Sequence, residues 1–197
     1  FDGSTPKDGP SAGIILTLAL VSLFTGIKCN PDISTTGEIN MNVANTFIAQ
    51  LLFLENEDPK RDVSIYINSN GGDAYAAFAM YDTMKHIRND VSTINVGLAA
   101  SAGALILGAG TKGKRFALPG SYTMIHQVLG GAEGQASDVE IRAKHMLRLR
   151  DQYASALSAD SGQKTQAVLE DIDRDNWMTA KEAKAYGLID EVMKTKK

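Results

Sequence analysis

Residues 63–104 read VSIYINSNGGDAYAAFAMYDTMKHIRNDVSTINVGLAASAGA, and the reading of this stretch decides the fold. Val63 to Asn68 is a short β-branched and aromatic run that meets the turn residues Ser69, Asn70, Gly71 and Gly72, the punctuation expected of a strand. A helix is predicted from about Ala74 to Arg88, a second strand over Ser92 to Val96, and a further helix opening near Ser101. Two strand–helix passes in succession imply an α/β domain with a mostly parallel sheet, because parallel neighbours need a crossover between them.

Toward the N-terminus, Val43, Phe47, Ile48, Leu51 and Leu54 recur at helical spacing within Asn42 to Glu57, and Pro59 follows as a stop. Further back lies Ala12 to Ile27, AGIILTLALVSLFTGI, shorter than the roughly 20 apolar residues that cross a bilayer. The preceding FDGSTPKDGP sets Asp2 and Asp8 against Lys7, unlike the basic start of a signal peptide, so the run reads as a buried helix and no membrane is expected as a partner.

Toward the C-terminus, Ser121 to Ile125 reads as a strand and Val128 to Gln135 as a glycine-rich ribbon. Residues 137–161 then form one long helix, with Glu140, Arg142, Lys144, Arg148, Arg150 and Asp151 on its polar faces. Its apolar Val139, Ala143, Met146, Leu147 and Tyr153 lie on more than one face, which predicts packing against another subunit as well as its own core. The chain closes with a helix at Ala180 to Tyr186, a stop at Gly187 and a strand from Leu188 to Met193.

Composition narrows the function classes. At 197 residues and 44% hydrophobic content the chain can bury one sizeable core. A formal net charge of −3, with Lys and Arg scattered, argues against nucleic acid as a partner. The one cysteine, Cys29, excludes an intramolecular disulfide, and no Cys/His cluster has metal-ligand spacing. A reducing, cytoplasmic compartment and a chemistry without a structural metal are therefore expected.

Four places could carry that chemistry. Ser101, in GLAASAGA, follows a strand and sits at the mouth of an apolar helix, whose free N–H groups and positive dipole end favour a developing oxyanion. The plainer role for such a serine is a helix cap. The Asn68 to Gly72 turn lies at the carboxyl end of a strand, where open α/β sheets place their sites, and its glycines can present an N–H to an oxyanion. Of the 3 histidines, His126 ends a strand, His86 lies in a helix and His145 on the long helix, so His126 has the location of a general base. Asp175, in DRDNW, is a candidate to orient it.

Taken together, AQLLFLENEDPKRD, IYINSNGGD, MYDTMKHIRNDVSTI, AASAGA, TKGKRFALPGS, MIHQ, LGGAEGQASDVEI and DRDNWMTAKEAKAYGLIDEV resemble the proteolytic subunit of the Clp protease along residues 41–197. The resemblance implies that family's fold, repeated βαβ units of the kind shared with crotonases plus a long handle helix between rings. It also implies a serine endopeptidase that needs no metal or cofactor, with Ser101 as nucleophile, His126 as base and Asp175 as orienting carboxylate, and with the N–H groups of Gly72 and Ala102 as oxyanion hole. Asn70 stands where the family usually has proline and Ala102 where it has methionine; neither removes a catalytic side chain.

The assembly implied by the resemblance is two stacked seven-membered rings, acting on peptides and unfolded proteins, with Asp173 and Arg174 at an inter-ring contact. Its usual partner is an AAA+ unfoldase docking into apolar pockets. Tyr66, Ile94, Val96, Leu118 and Met193 keep that apolar character, but Ser64 and His86 replace aromatics and no axial loop is recognisable, which predicts weak docking.

Residues 1–40 resemble a different family. DGSTPKDGPSAG, IILTLALVSLFTG and ISTTGEIN look like a segment of the Lon protease proteolytic domain, in which Ser11 would be the nucleophile of a Ser/Lys dyad. The downstream glycine-lysine motif carrying the dyad lysine is absent, so Ser11 reads as vestigial and the chain as a chimera with a crossover near TGEIN. The expected domains are thus a helix-and-strand segment over 1–40, packed on the same domain, and a peptidase body over 41–197. Two other classes stay open: a non-proteolytic ring subunit or scaffold, and a crotonase-like acyl-CoA enzyme. The complete Ser/His/Asp set argues against both.

Overall fold

Residues 32–194 are described by a computed structural model of the chain. The expected helix at 12–27, Ser11 and Cys29 lie outside them. The strand expected within residues 1–40 is β1 (Asp32–Ile39), followed by α1 (Met41–Glu57), β2 (Val63–Gly72), α2 (Ala74–His86), β3 (Val91–Ala100) and α3 (Ala102–Gly108). Then come β4 (Arg115–Ala117), β5 (Tyr122–Ile125), the long α4 (Ala136–Ser161), α5 (Thr165–Asp171), β6 (Asn176–Thr179), α6 (Ala180–Tyr186) and β7 (Glu191–Val192).

The strands join in the order β1-β2-β3-β4-β7, all parallel, and β5 branches off β3 in parallel with β6 antiparallel beyond it. The branch has a local cause. β3 spends Thr93 to Asn95 on β4 and Leu98 to Ala100 on β5. At the end of the first pairing, the fully buried Asn95 bonds the Gly97 N–H through its side-chain oxygen and donates to the Tyr122 carbonyl at 2.8 Å. A polar side chain thus takes over the ladder where β3 changes partner.

Side-chain caps set the starts of α1, α2 and α6. Asn40 accepts from Val43 N at 3.0 Å, Asp73 from Ala76 N at 2.8 Å, and Thr179 and Glu182 form a reciprocal capping box on α6. The predicted stop at Gly187 is a left-handed cap at φ 98°. Every residue of α3 is buried, as an apolar helix at the centre of the core must be. In α4, by contrast, the buried residues are Leu149, Tyr153, Ala154 and Leu157, so the helix beds its C-terminal half and leaves the rest uncovered.

Several sequence expectations are corrected here. Ser69 to Gly72 is not a free turn, because β1 pairs along it, Glu38 with Gly71 and Ile39 with Gly72, and draws it into β2. Residues 128–135 form no strand, and β7 holds two residues rather than the span from Leu188 to Met193. Asp190, just before it, receives two bonds from the buried Arg115 guanidinium at 2.9 and 2.6 Å. Burial pushes the Asp190 pKa up, but the Arg115 bonds outweigh this and hold the carboxyl below its ordinary range. That pair ties the end of the chain to β4.

Candidate active site

Strand register brings the candidate residues together. Ala100 on β3 is level with Met124 on β5, and Ser101 N–H extends that pairing by donating to the Met124 carbonyl at 2.8 Å. Ser101 and His126 therefore leave the same edge of adjacent parallel strands, at their carboxyl ends. On the other side of β5 runs β6, with Ile125 opposite Asn176, so Asp175 falls beside His126. His126 Nδ1 lies 3.3 Å from Asp175 Oδ1. The short bond from Gln127 N–H to the Ile172 carbonyl, 2.6 Å, fixes the β5 end against the segment that carries Asp175.

Ser101 is held in a strained turn. Its φ of 54° and ψ of −117° make it the one non-glycine residue with positive φ among those described. A serine at a helix start commonly accepts a bond from a first-turn N–H; the Ser101 side chain accepts none on α3. The hydroxyl is thus left for something other than capping, which removes the plainer reading of this serine.

The glycines opposite have no alternative. A Cβ on Gly71, at φ 96°, would come within 2.7 Å of Ser101 Cβ and 2.8 Å of the Ala100 carbonyl oxygen. A Cβ on Gly72, at φ 151°, would collide with the backbone of Ile39. β1 buttresses the pair from behind: Asp73 N–H donates to the Ile39 carbonyl at 2.8 Å and the Ser69 hydroxyl to the Gly37 carbonyl at 2.6 Å. The same packing sets Gly71 against the amide of Ala102, which opens α3 and has no carbonyl four residues back within the helix.

One cavity of about 670 Å³ receives these groups. Gly72, Ser101, Ala102 and His126 line it, with Phe78, Met146 and Leu149 making much of its apolar wall. Asp175 stands outside it, behind the imidazole, with its side chain 60% exposed against 15% for His126. Such an arrangement can activate a hydroxyl, accept its proton and stabilise an oxyanion in a pocket wide enough for a side chain.

Asp173 and Arg174 sit together at the surface beside the site, their charges 3.8 Å apart, and Gln127 Nε2 donates to the Asp173 carbonyl at 3.0 Å. Two features escaped the sequence reading. Tyr153, read as an apolar helix position, sends its hydroxyl to the Ser101 carbonyl at 3.1 Å. Tyr75 and His145 meet across the cavity, Oη to Nε2 at 2.6 Å with their rings stacked 5.9 Å apart. The alternation of Tyr75 and Phe78 with alanines in α2 was the available signal, since a helix needing only core contacts does not place a tyrosine in its exposed first turn.

Among the described residues no helix is long and apolar enough to cross a membrane, and no group of three acidic, histidine or cysteine side chains could hold a metal ion. Compared with known families, the chain matches the model described as Clp protease over residues 20–196. The match takes in residues 20–40, part of the segment read above as similar to the Lon protease, and begins beyond Ser11.

Proposed function

The chain belongs to the Clp protease family, and from that premise we propose that it is a subunit of a self-compartmentalising serine endopeptidase with Ser101, His126 and Asp175 as its catalytic triad. The observation that carries this reading is the convergence of an uncapped, strained Ser101 and His126 on one cavity, with Asp175 against the far side of the imidazole.

Peptide hydrolysis follows from that placement. The Ser101 oxygen attacks the scissile carbonyl while His126 takes the hydroxyl proton, and the oxyanion formed draws on the N–H groups of Gly72 and Ala102. His126 then gives its proton to the leaving amine, the C–N bond breaks, and an acyl-serine remains. A water molecule, deprotonated by His126, attacks the acyl group; the bond from the acyl carbon to the Ser101 oxygen breaks, His126 returns the proton to that oxygen, and the acid leaves. Asp175 keeps the Nδ1 proton in place throughout. The test is a fluorophosphonate probe followed by peptide mapping of the assembled protein. Labelling at Ser101 is expected; an unlabelled Ser101 in assembled protein sinks the peptidase.

Assembly into two stacked heptameric rings is part of the proposal. Its support is the uncovered half of α4 with exposed Ile141 and Leu147, exposed Leu129 beside it, and exposed Leu52 and Phe53 on α1. Asp173 and Arg174 are exposed next to Asp175, where a neighbouring ring would meet them. A cytoplasmic setting is proposed with it, as is the derivation of residues 1–40 from a Lon-like segment in which Ser11 has lost its lysine.

Coupling to an AAA+ unfoldase is expected to be poor. The outer face of the sheet carries exposed Tyr66, Val96, Leu118 and Met193, but half-buried Ser64 and exposed His86 stand where the family has aromatics. Each lost aromatic removes about 1–3 kcal/mol of docking energy, repeated around a ring. Small-peptide cleavage should therefore proceed while ATP-dependent degradation of a folded, tagged substrate with a Clp unfoldase stays near background. Efficient degradation of the folded substrate would refute it.

A further inference from the structure

We propose that Tyr153 is a positioning residue for the nucleophile: its buried hydroxyl, donated to the Ser101 carbonyl at 3.1 Å, holds the Ser101 turn in the geometry that aims its side chain into the cavity. The inference rests on the peptidase reading above and adds a part to it.

The Ser101 carbonyl is an unusual acceptor. It receives Ala104 N–H at 3.0 Å and Leu105 N–H at 3.2 Å from the first turn of α3, and the phenol comes in as a further donor. The two amides belong to α3 and would be present in any helix starting here. The phenol alone reaches this carbonyl from another element, α4; the Ser101 N–H is already held by Met124 on β5, so the phenol fixes the carbonyl side of the turn relative to the rest of the cavity. A peptide plane fixed at its carbonyl also fixes the ψ of Ser101, which at −117° lies far from the helical value its successors adopt. Without that third bond the turn is free to relax toward ordinary helix, swinging the hydroxyl away from His126.

Three observations suit Tyr153 to this role. It is 5% exposed, so a hydroxyl left without a partner there is costly. Burial pushes its pKa well above the ordinary phenol range, so it remains a donor. Its helix is anchored a second time at the opposite wall of the cavity, where His145 meets Tyr75 in the first turn of α2. α4 is thus tied both to the nucleophile and to the segment that follows Gly72.

The experiment compares the full-length, assembled protein with Tyr153→Phe, which keeps the ring and loses the donor. Turnover of a short fluorogenic peptide and the rate of fluorophosphonate labelling at Ser101 should both fall about five- to tenfold, the worth of one hydrogen bond. KM should stay within about twofold, since the cavity surface is unchanged. Placing p-aminophenylalanine at position 153 restores a donor and should recover kcat, whereas p-methylphenylalanine, of similar size, should not. That pair separates the bond from mere packing even if Tyr153→Phe assembles badly. Equal kcat for Tyr153→Phe and the parent, or for the two substituted phenylalanines, overturns the inference. A parent protein that the probe does not label at Ser101 overturns the peptidase reading instead.

Discussion

Replacing Ser101 with alanine lowers turnover of a short fluorogenic peptide by about a million-fold, the loss typical when a triad nucleophile is removed, while Ser11→Ala leaves most of it. The expectation follows from what surrounds each serine. Ser101 has a strained backbone, no cap bond, a histidine on the same cavity and Gly71 pressed against its Cβ. Ser11 has only the fragment of a motif whose lysine is missing. Alanine at 101 adds no bulk and deletes only the hydroxyl, so the assembled mass and thermal stability should match the parent. Both variants are measured after confirming equal assembly. Loss of activity in Ser11→Ala alone would reverse the assignment and bring the Lon-like dyad back into play.

The second large effect is expected at Asp175. Asp175→Asn should lower turnover by up to about four orders of magnitude, because the amide can hand its own N–H to Nδ1 and stabilise the wrong imidazole tautomer. Nε2 would then carry the proton and could not accept one from Ser101. Stability should barely change. The carboxylate is 60% exposed and its 3.3 Å contact with His126 is open to water, where such pairs contribute little to folding. The combination of intact melting temperature and collapsed kcat distinguishes an orienting role from a structural one. Near-normal peptidase activity in a folded Asp175→Asn protein would mean that another acid serves His126, and the nearby Asp173 would be the first to examine.

Much of this site was legible in the residues. Ser101 had to follow a strand and open a helix because an extended apolar run ends in small residues that continue at high helix propensity, and His126 had to end a strand for the same kind of local reason. Gly71 and Gly72 were readable as positions needing special backbone freedom, although not the reason, which is the approach of Ser101 on one side and Ile39 on the other. Assignment of Asp175 rested on family resemblance, since one acidic residue among 23 has no local signature.

By itself, then, the sequence determined the elements with long, regular patterns: α1, α2, α4, β2, β3 and their parallel arrangement, since periodic burial is written within each segment. The tertiary structure alone decided what depends on partner choice. β4, β6 and β7 hold two to four residues, too few for any period to stand out, yet β6 pairing with β5 is what sets Asp175 beside His126. Asn95 looked like one more strand residue until β3 was seen to change neighbours there. Tyr153 read as an ordinary core position because helical spacing reports which face is buried and carries no information about what a hydroxyl on that face will meet. Contacts between segments far apart in sequence are fixed by packing of the whole sheet, and only there do the proposed catalytic groups find each other.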